Sequence, residues 1–412
     1  MKILVANVGS TSYKSRLFDM DTEQELAQGG VERVGSADAI VSYRRGGDAP
    51  VDNLVTPVRD HREAVRRILD CFTDSRIGVI GSVREIDAVG FKTVQAGEKN
   101  GSVLLTRDVT DAMERFASLF PAHNPPYLSC IYYFQEMAPD IPRVGVFEPG
   151  FHAGIPEYAR VFGVPWEWYD TFKVQKYGFH GASFRYVTGE VVRRLELDPA
   201  NVRIIACHLG GSSSMCAFRN GRSIDTSFSF TTQSGLPQTA RMGDIDPYVF
   251  PYIMEKKGIT LAEALAEAST KGGLLGISGV GRDMREIKEA AARGNARARL
   301  AIDKLVYDIV RYIGSYHVLM QGVDVIAFSG GMGLNDSDLR KSVVEKIAFL
   351  GVELDEEKNR DSSEGVKTKP GSKITVITVN TNEEIVVARE TLKVIREGGG
   401  GRTCSPPRPL SP

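Results

Sequence analysis

A hairpin that occurs twice limits this chain more than any other feature. Near the start, Ile3-Leu4-Val5-Ala6 runs into Asn7-Val8-Gly9-Ser10-Thr11-Ser12, and a second apolar-rich stretch around Ser15-Arg16-Leu17-Phe18 follows. That is the pattern of a strand, a Gly/Ser turn and a strand. Midway along the chain it returns: Ile204-Ile205-Ala206-Cys207, then His208-Leu209-Gly210-Gly211-Ser212-Ser213-Ser214, then Met215-Cys216-Ala217-Phe218 and the tight-turn signal Asn220-Gly221. Helices are predicted at 62–72, 109–119 and 261–268, and a longer one carries Ile302, Leu305, Val306, Ile309 and Ile313 on one face. Short apolar runs predict further strands at 86–89, 143–147, 323–328 and 374–379. Two copies of one hairpin with helices interspersed point to an internally duplicated α/β protein, and 412 residues, at roughly 150 per domain, give room for two or three domains.

Composition removes several classes of function. With 51 basic and 52 acidic residues the formal charge is −1, so there is no basic footprint for nucleic acid. No stretch approaches the roughly 20 apolar residues that span a bilayer, and Met1-Lys2-Ile3-Leu4-Val5 meets polar Asn7 too soon for a secretory leader. A cytoplasmic protein is expected. The five cysteines (Cys71, Cys130, Cys207, Cys216, Cys404) form no CxxC, and an odd set spread this widely reads as reduced thiols. Residues 398–412, rich in Gly and Pro, read as a disordered tail.

Gly/Ser loops after strands can aim backbone N–H groups at an anion, because glycine permits an approach that a Cβ blocks. Besides the two hairpin loops, Lys271-Gly272-Gly273-Leu274-Leu275-Gly276-Ile277-Ser278-Gly279 precedes a helix opening at Asp283, and Phe328-Ser329-Gly330-Gly331-Met332-Gly333 follows a buried strand. One such loop is ordinarily a turn. Four, two of them repeats of each other, point to a nucleotide held between related halves, although neither a Walker A motif nor a strict GxGxxG occurs. His180 lies between glycines in Tyr177-Gly178-Phe179-His180-Gly181, where a substrate could approach an imidazole. Arg241 precedes Gly243-Asp244-Ile245-Asp246-Pro247; it is either a loop ion pair with Asp244 or Asp246, or a fork for a carboxylate or phosphate. Glu383 and Glu384 suit the first turn of a helix, or the positioning of Mg2+ through water.

Six ordered motifs then carry a resemblance. Asn7-Val8-Gly9-Ser10-Thr11-Ser12-Tyr13-Lys14 is similar to N-x-G-S-S-S-x-K, Tyr177 to Ser183 to Y-G-F-H-G-T-S, and Ala240 to Pro247 to T-R-S-G-D-I-D-P. Gly276-Ile277-Ser278 with Asp283 and Arg285, Gly330-Gly331-Met332-Gly333, and Asn382-Glu383-Glu384 complete the set. From Met1 to about Arg396 the chain resembles the acetate kinase family, among the duplicated kinases related to actin-like ATPases.

The resemblance implies two actin-like, ribonuclease H-like domains with a nucleotide cleft between them. Residues 1–150 with 385–397 would form the acceptor and phosphate side, and 151–384 the nucleotide-binding domain. It implies ATP/ADP and Mg2+ as cofactors and a homodimer, with no nucleic-acid or membrane partner. The phosphates would lie against Asn7, Ser10, Ser12 and Lys14 on one side and His208, Gly210 and Gly211 on the other. Gly330, Gly331, Gly333 and Asn335 would also face the nucleotide, Asp283 and Arg285 the adenosine. His180 and Arg241 would contact the transferring phosphoryl, with Lys92 and Glu148 completing the catalytic group and Asn7 and Glu384 the metal region. Val94, Ala122, Phe179 and Thr232 would line the acceptor pocket.

This sequence departs from the family motifs mainly around the acceptor. Lys92 replaces a clamping arginine, Glu148 an aspartate, and Leu334 the glutamate of G-G-I-G-E-N. The family's H-L-G-N-G-S-S reads His208-Leu209-Gly210-Gly211-Ser212-Ser213-Ser214, losing an asparagine beside the phosphates. Ala122 stands for leucine and Thr232 for proline, which predicts a larger and more polar pocket. The activity implied is reversible phosphoryl transfer from ATP to a short carboxylate, by default acetate, alternatively a larger or more polar acid. The remaining alternative is an actin-like nucleotide binder without kinase activity, against which His180, Arg241 and Glu384 together argue, since pure binding has no use for them.

Overall fold

The structure is a computed structural model, which describes residues 1–47 and 51–398. Apart from Gly398, the predicted disordered tail lies outside the described residues, as does Cys404. The chain divides into two compact units, Met1–Ala153 with the segment from Asn382 on, and Gly154–Thr381. Glu383 and Glu384 therefore belong to the first unit, which corrects the expected boundary at 384.

In the first unit the alternation of apolar residues produces β1 (Lys2–Val8), β2 (Ser12–Asp19), β3 (Gln24–Glu32), β4 (Ile40–Arg45), β5 (Val51–Val55), β6 (Ala88–Thr93), β7 (Ser102–Leu104) and β8 (Arg143–Phe147). They form one sheet in the order β5-β4-β3-β2-β1-β6-β8-β7. Strands β1 to β5 form an antiparallel meander, while β6 runs parallel to both β1 and β8. One face buries Leu4, Ala6, Val8 and Phe91 with helices His61–Thr73 and Asn124–Met137. The C-terminal helix Glu383–Arg396 packs on β1, β6 and β8. Gly90 makes that packing possible, since a Cβ there would collide with Thr391 Oγ1.

The second unit repeats the plan with β9 (Arg203–Leu209), β10 (Ser213–Arg219), β11 (Arg222–Thr226), β12 (Val325–Ser329), β13 (Gly365–Val366) and β14 (Thr375–Thr378), ordered β11-β10-β9-β12-β14-β13. Both units thus hold three antiparallel strands followed by two parallel ones across helical connections, in the order 3-2-1-4-5. The parallel register of β1 on β6 matches that of β9 on β12, while the second hairpin turns one residue shorter than the first. Ala6 pairs with Phe91 and Cys207 with Phe328, so Asn7 of one copy corresponds to His208 of the other. The long helix is Ala296–Met320, and Leu305, Val306, Ile309 and Ile313 are buried along it as the spacing predicts.

Candidate active site

In the second unit several of the expected site residues lie near the C-terminal ends of the parallel pair β9 and β12, the end at which ligands characteristically bind. His180 is the N-cap of helix Gly181–Arg194 and has a left-handed backbone, φ 59°. Its Nδ1 lies 2.8 Å from Ser214 Oγ on β10. Its ring centroid is 4.3 Å from that of His208, whose Nδ1 is 2.7 Å from Ser183 Oγ. The two imidazoles thereby tie the start of that helix to the second hairpin.

Arg241 reaches the same hairpin from the other direction. Its Nη1 donates to Ser212 Oγ at 3.2 Å and to Gln238 Oε1 at 3.0 Å. The loop ion pair that the sequence also allowed does not form. Asp244 instead accepts from Arg311 and Tyr312 with one oxygen and from Gly235 N–H with the other, and Asp246 caps Tyr248 N–H. Without a carboxylate beside it, burial pulls the Arg241 guanidinium below its usual pKa. Such a group gains by meeting an anion.

The glycine loops leave open backbone beside these groups. At Gly211 and Gly331 no atom of the other described residues, chain neighbours aside, lies within 4 Å of where a Cβ would stand. Gly330, φ 75°, could not carry one, since Leu209 O would lie 2.6 Å away. Asn335 Nδ2 donates to Gly331 O at 2.9 Å, and Gly333 O accepts from buried Arg340 at 2.8 Å. Gly210 N–H meets Ser213 Oγ at 3.2 Å. Asp283 caps helix Met284–Ala292 through Arg285 N–H and also binds the Arg285 guanidinium, and these contacts lower its pKa to about 2. Phe179 is buried 6.2 Å from Phe228, and Thr232 offers its carbonyl to Gln238.

In the first unit the expected residues gather only in part. Tyr127 Oη accepts Val8 N–H at 3.1 Å and donates to Asn7 Oδ1 at 3.4 Å. Lys92, on β6, pairs with Glu383 and lies 3.4 Å from Glu148 Oε1. Burial penalises its ammonium, but the charges of Glu383 and Glu148 outweigh that, and its pKa stands well above the usual lysine value. Glu384 is elsewhere, 3.8 Å from Arg16 on β2. Ser10 and Lys14 are exposed, Ser12 is half-buried, and the Ser12 carbonyl closes the loop onto Gly9 N–H. Val94 packs against the core, whereas Ala122 is exposed just before helix Asn124–Met137. The sequence reading missed Tyr127, Glu383 as the partner of Lys92, Ser212 and Gln238. Of this set only the Glu383-Glu384 doublet and the Gly/Ser loop that carries Ser212 gave any signal.

This arrangement has close relatives. The acetokinase family model matches residues 2–389. The acetate kinase of Coprothermobacter proteolyticus is 41% identical over 398 residues, 96% of this chain and 99% of that protein. This chain belongs to the acetokinase family. Among solved structures, the acetate kinase of Porphyromonas gingivalis is 38% identical with a TM-score of 0.88, the match covering 96% of this chain and 99% of that one. A propionate kinase from Francisella tularensis is 31% identical with a TM-score of 0.87, covering 95% and 99%. As an acetokinase family member the chain is an ATP-dependent phosphotransferase with a carboxylate acceptor, built on two duplicated actin-like domains. No helix among the described residues is long and apolar enough to cross a membrane.

Proposed function

We propose that this enzyme transfers the γ-phosphoryl of ATP reversibly to acetate, giving acetyl phosphate and ADP. The observation that carries this reading is the guanidinium of Arg241, half-buried, without a carboxylate partner and hydrogen-bonded to the hairpin that also fixes His180. Phosphoryl transfer asks a protein chiefly to align the attacking and leaving oxygens and to offset charge on the equatorial oxygens. Arg241 would offset that charge through its fork, and His180, fixed through Nδ1 and Ser214, would donate a hydrogen bond to the same group. The open backbone at Gly211 and Gly331 would lie against the nucleotide, and Asp283 and Arg285 near its adenosine.

For Mg2+, the residues fit. Among the described residues no three His, Cys, Asp or Glu side chains form a cage, and Mg2+ bound with substrate phosphates keeps most of its shell as water and phosphate oxygen. One carboxylate and one amide oxygen suffice for such an ion. We assign them to Asn7 and to Glu384, as the motif implies, since the carboxylate of Glu383 is taken up by Lys92 while Glu384 is only 3.8 Å from Arg16. The ion would neutralise phosphate charge; Lys92 would keep the carboxylates of Glu148 and Glu383 ionised and fixed.

Acceptors of three or four carbons are a second reading, favoured by exposed Ala122 and by the hydroxyl of Thr232. Thiols without disulfide partners at Cys71, Cys130, Cys207 and Cys216 suit the cytoplasm, and we infer a homodimer. Hydroxylamine trapping of acyl phosphate, with kcat/KM compared over acetate, propionate, butyrate, lactate and glycolate at fixed Mg·ATP, tests the function. Acetate should lead; a higher value for a longer or hydroxylated acid replaces acetate with the second reading, and no hydroxamate from any acid removes both.

A further inference from the structure

A buried primary amide must find partners for both its acceptor and its donor. Gln238 is 0% exposed, and its side chain spends both ends on the neighbourhood of Arg241. Its Oε1 accepts from Ser212 Oγ at 2.9 Å and from Arg241 Nη1 at 3.0 Å, and its Nε2 donates to Thr232 O at 2.8 Å. The main chain is equally fixed. Gln238 N–H donates to Arg241 O at 3.1 Å, and Gln238 O accepts Leu274 N–H at 2.8 Å. Next to it, Thr239 Oγ1 donates to Gly211 O at 3.0 Å, so the 238–241 turn is tied to the second hairpin at two points.

We propose that Gln238 is a positioning residue that aims the Arg241 guanidinium along the Gly210–Ser214 loop without neutralising it. The proposal rests on the reading of Arg241 given above. A carboxylate at this place would pair with the guanidinium and use its charge. An apolar side chain would offer no acceptor, and the long arginine would be free to change rotamer. The amide oxygen holds one nitrogen and leaves the charge intact. Among the described residues only Nη1 of Arg241 has partners, so Nε and Nη2, one edge of the fork, remain for a planar or phosphoryl anion. Ser212, which replaces a glycine of the family motif, completes the triangle: its hydroxyl donates to Gln238 and accepts from Arg241. The aim of the arginine and the position of the hairpin loop are thereby coupled.

The test is steady-state kinetics on the full-length enzyme carrying Gln238→Met, Gln238→Glu, Arg241→Leu and the Gln238→Met/Arg241→Leu pair. Gln238→Met should lower kcat/KM for the carboxylate roughly 10- to 100-fold, as a small misplacement of a catalytic group does, with KM for ATP nearly unchanged. In the Arg241→Leu background the same change should cost nothing further. Gln238→Glu should be weakest at high pH and regain activity as pH falls and its carboxyl protonates, a limb absent from the native enzyme. A merely structural glutamine would not produce that limb, and should Gln238→Met fail to fold, this near-isosteric variant carries the test. Native acceptor kinetics in Gln238→Met beside a crippled Arg241→Leu would overturn the proposal alone. A fully active Arg241→Leu would overturn the reading of Arg241 and the proposal with it.

Discussion

His180 pays for its place. A left-handed backbone at φ 59° is uncommon for a residue with a Cβ, and the structure spends it on setting an imidazole against Ser214 and beside His208 at a helix start. If that ring acts on the phosphoryl group only as charge develops, His180→Ala should lower kcat by ~10²–10³ and leave KM for ATP almost unmoved. Retained turnover would make the histidine structural. The motif around His180 was legible because glycines on both sides carry no side chain to screen the imidazole from a substrate. Lys92 was not: the sequence offers it as a substitute for a clamping arginine, and only the sheet shows it held by Glu148, after β8, and Glu383, almost three hundred positions away. Nor could sequence choose between Glu383 and Glu384. Neighbours on a helix point about 100° apart, and which one meets Lys92 depends on how the helix is rotated on β1 and β6.

At the scale of elements, the C-terminal helix sits where Gly90 leaves room for Thr391. Gly90→Ala should cost ~1–3 kcal/mol by overpacking, read as a lowered Tm. Adding Thr391→Ala, which removes the obstructing hydroxyl, should recover part of the loss although Thr391→Ala alone gives up a 2.7 Å bond to Val387 O. Strict additivity of the two changes would deny the contact its role. The helix Met284–Ala292 poses a different question, since Asp283 both caps it and holds Arg285. Its carboxyl pKa, about 2, lies below the unfolded value near 3.9, so its contribution is present above that value and is lost as pH falls through about 2. Asp283→Asn keeps a capping oxygen but not the charge; the melting temperature should fall slightly at neutral pH, where the exposed pair with Arg285 contributes little, while calorimetry should show weaker ATP binding. Native affinity in the asparagine variant would leave Asp283 a cap and nothing more. Elements with a clean period were legible: the strand over 143–147 is observed at Arg143–Phe147. Helix Asn124–Met137 was not among the predicted helices: it opens on Pro125 and Pro126, which a first helical turn tolerates, and its apolar residues are not confined to one stripe.

For the whole molecule, duplication was visible in the two hairpins, because each must turn tightly through glycine, whereas β3, β6 and β8 have no such mark and only the order of the sheets shows the repeat to be complete. What surrounds the chain is written less clearly. Helix Val249–Lys257 has no buried residue, and helix Leu261–Thr270, packed against it, buries only Ala264. Helices this short are marginal unless an apolar face is covered, and large exposed apolar patches mark interaction sites. Tyr248 is 80% exposed, Tyr252 59% and Leu261 50%, on one helix pair. A second copy of the chain is the occupant that the family resemblance implies. Light scattering should therefore give about twice the monomer mass of 45.1 kDa at micromolar protein. The paired change Tyr248→Ser and Tyr252→Ser should shift that mass toward the monomer, and hydrogen exchange should then quicken in residues 249–270 ahead of the rest, since these helices have least to hold them once the face is bare. A native chain that stays monomeric while those amides remain protected would show that the helix pair needs no partner, and would remove the dimer from the account of this enzyme.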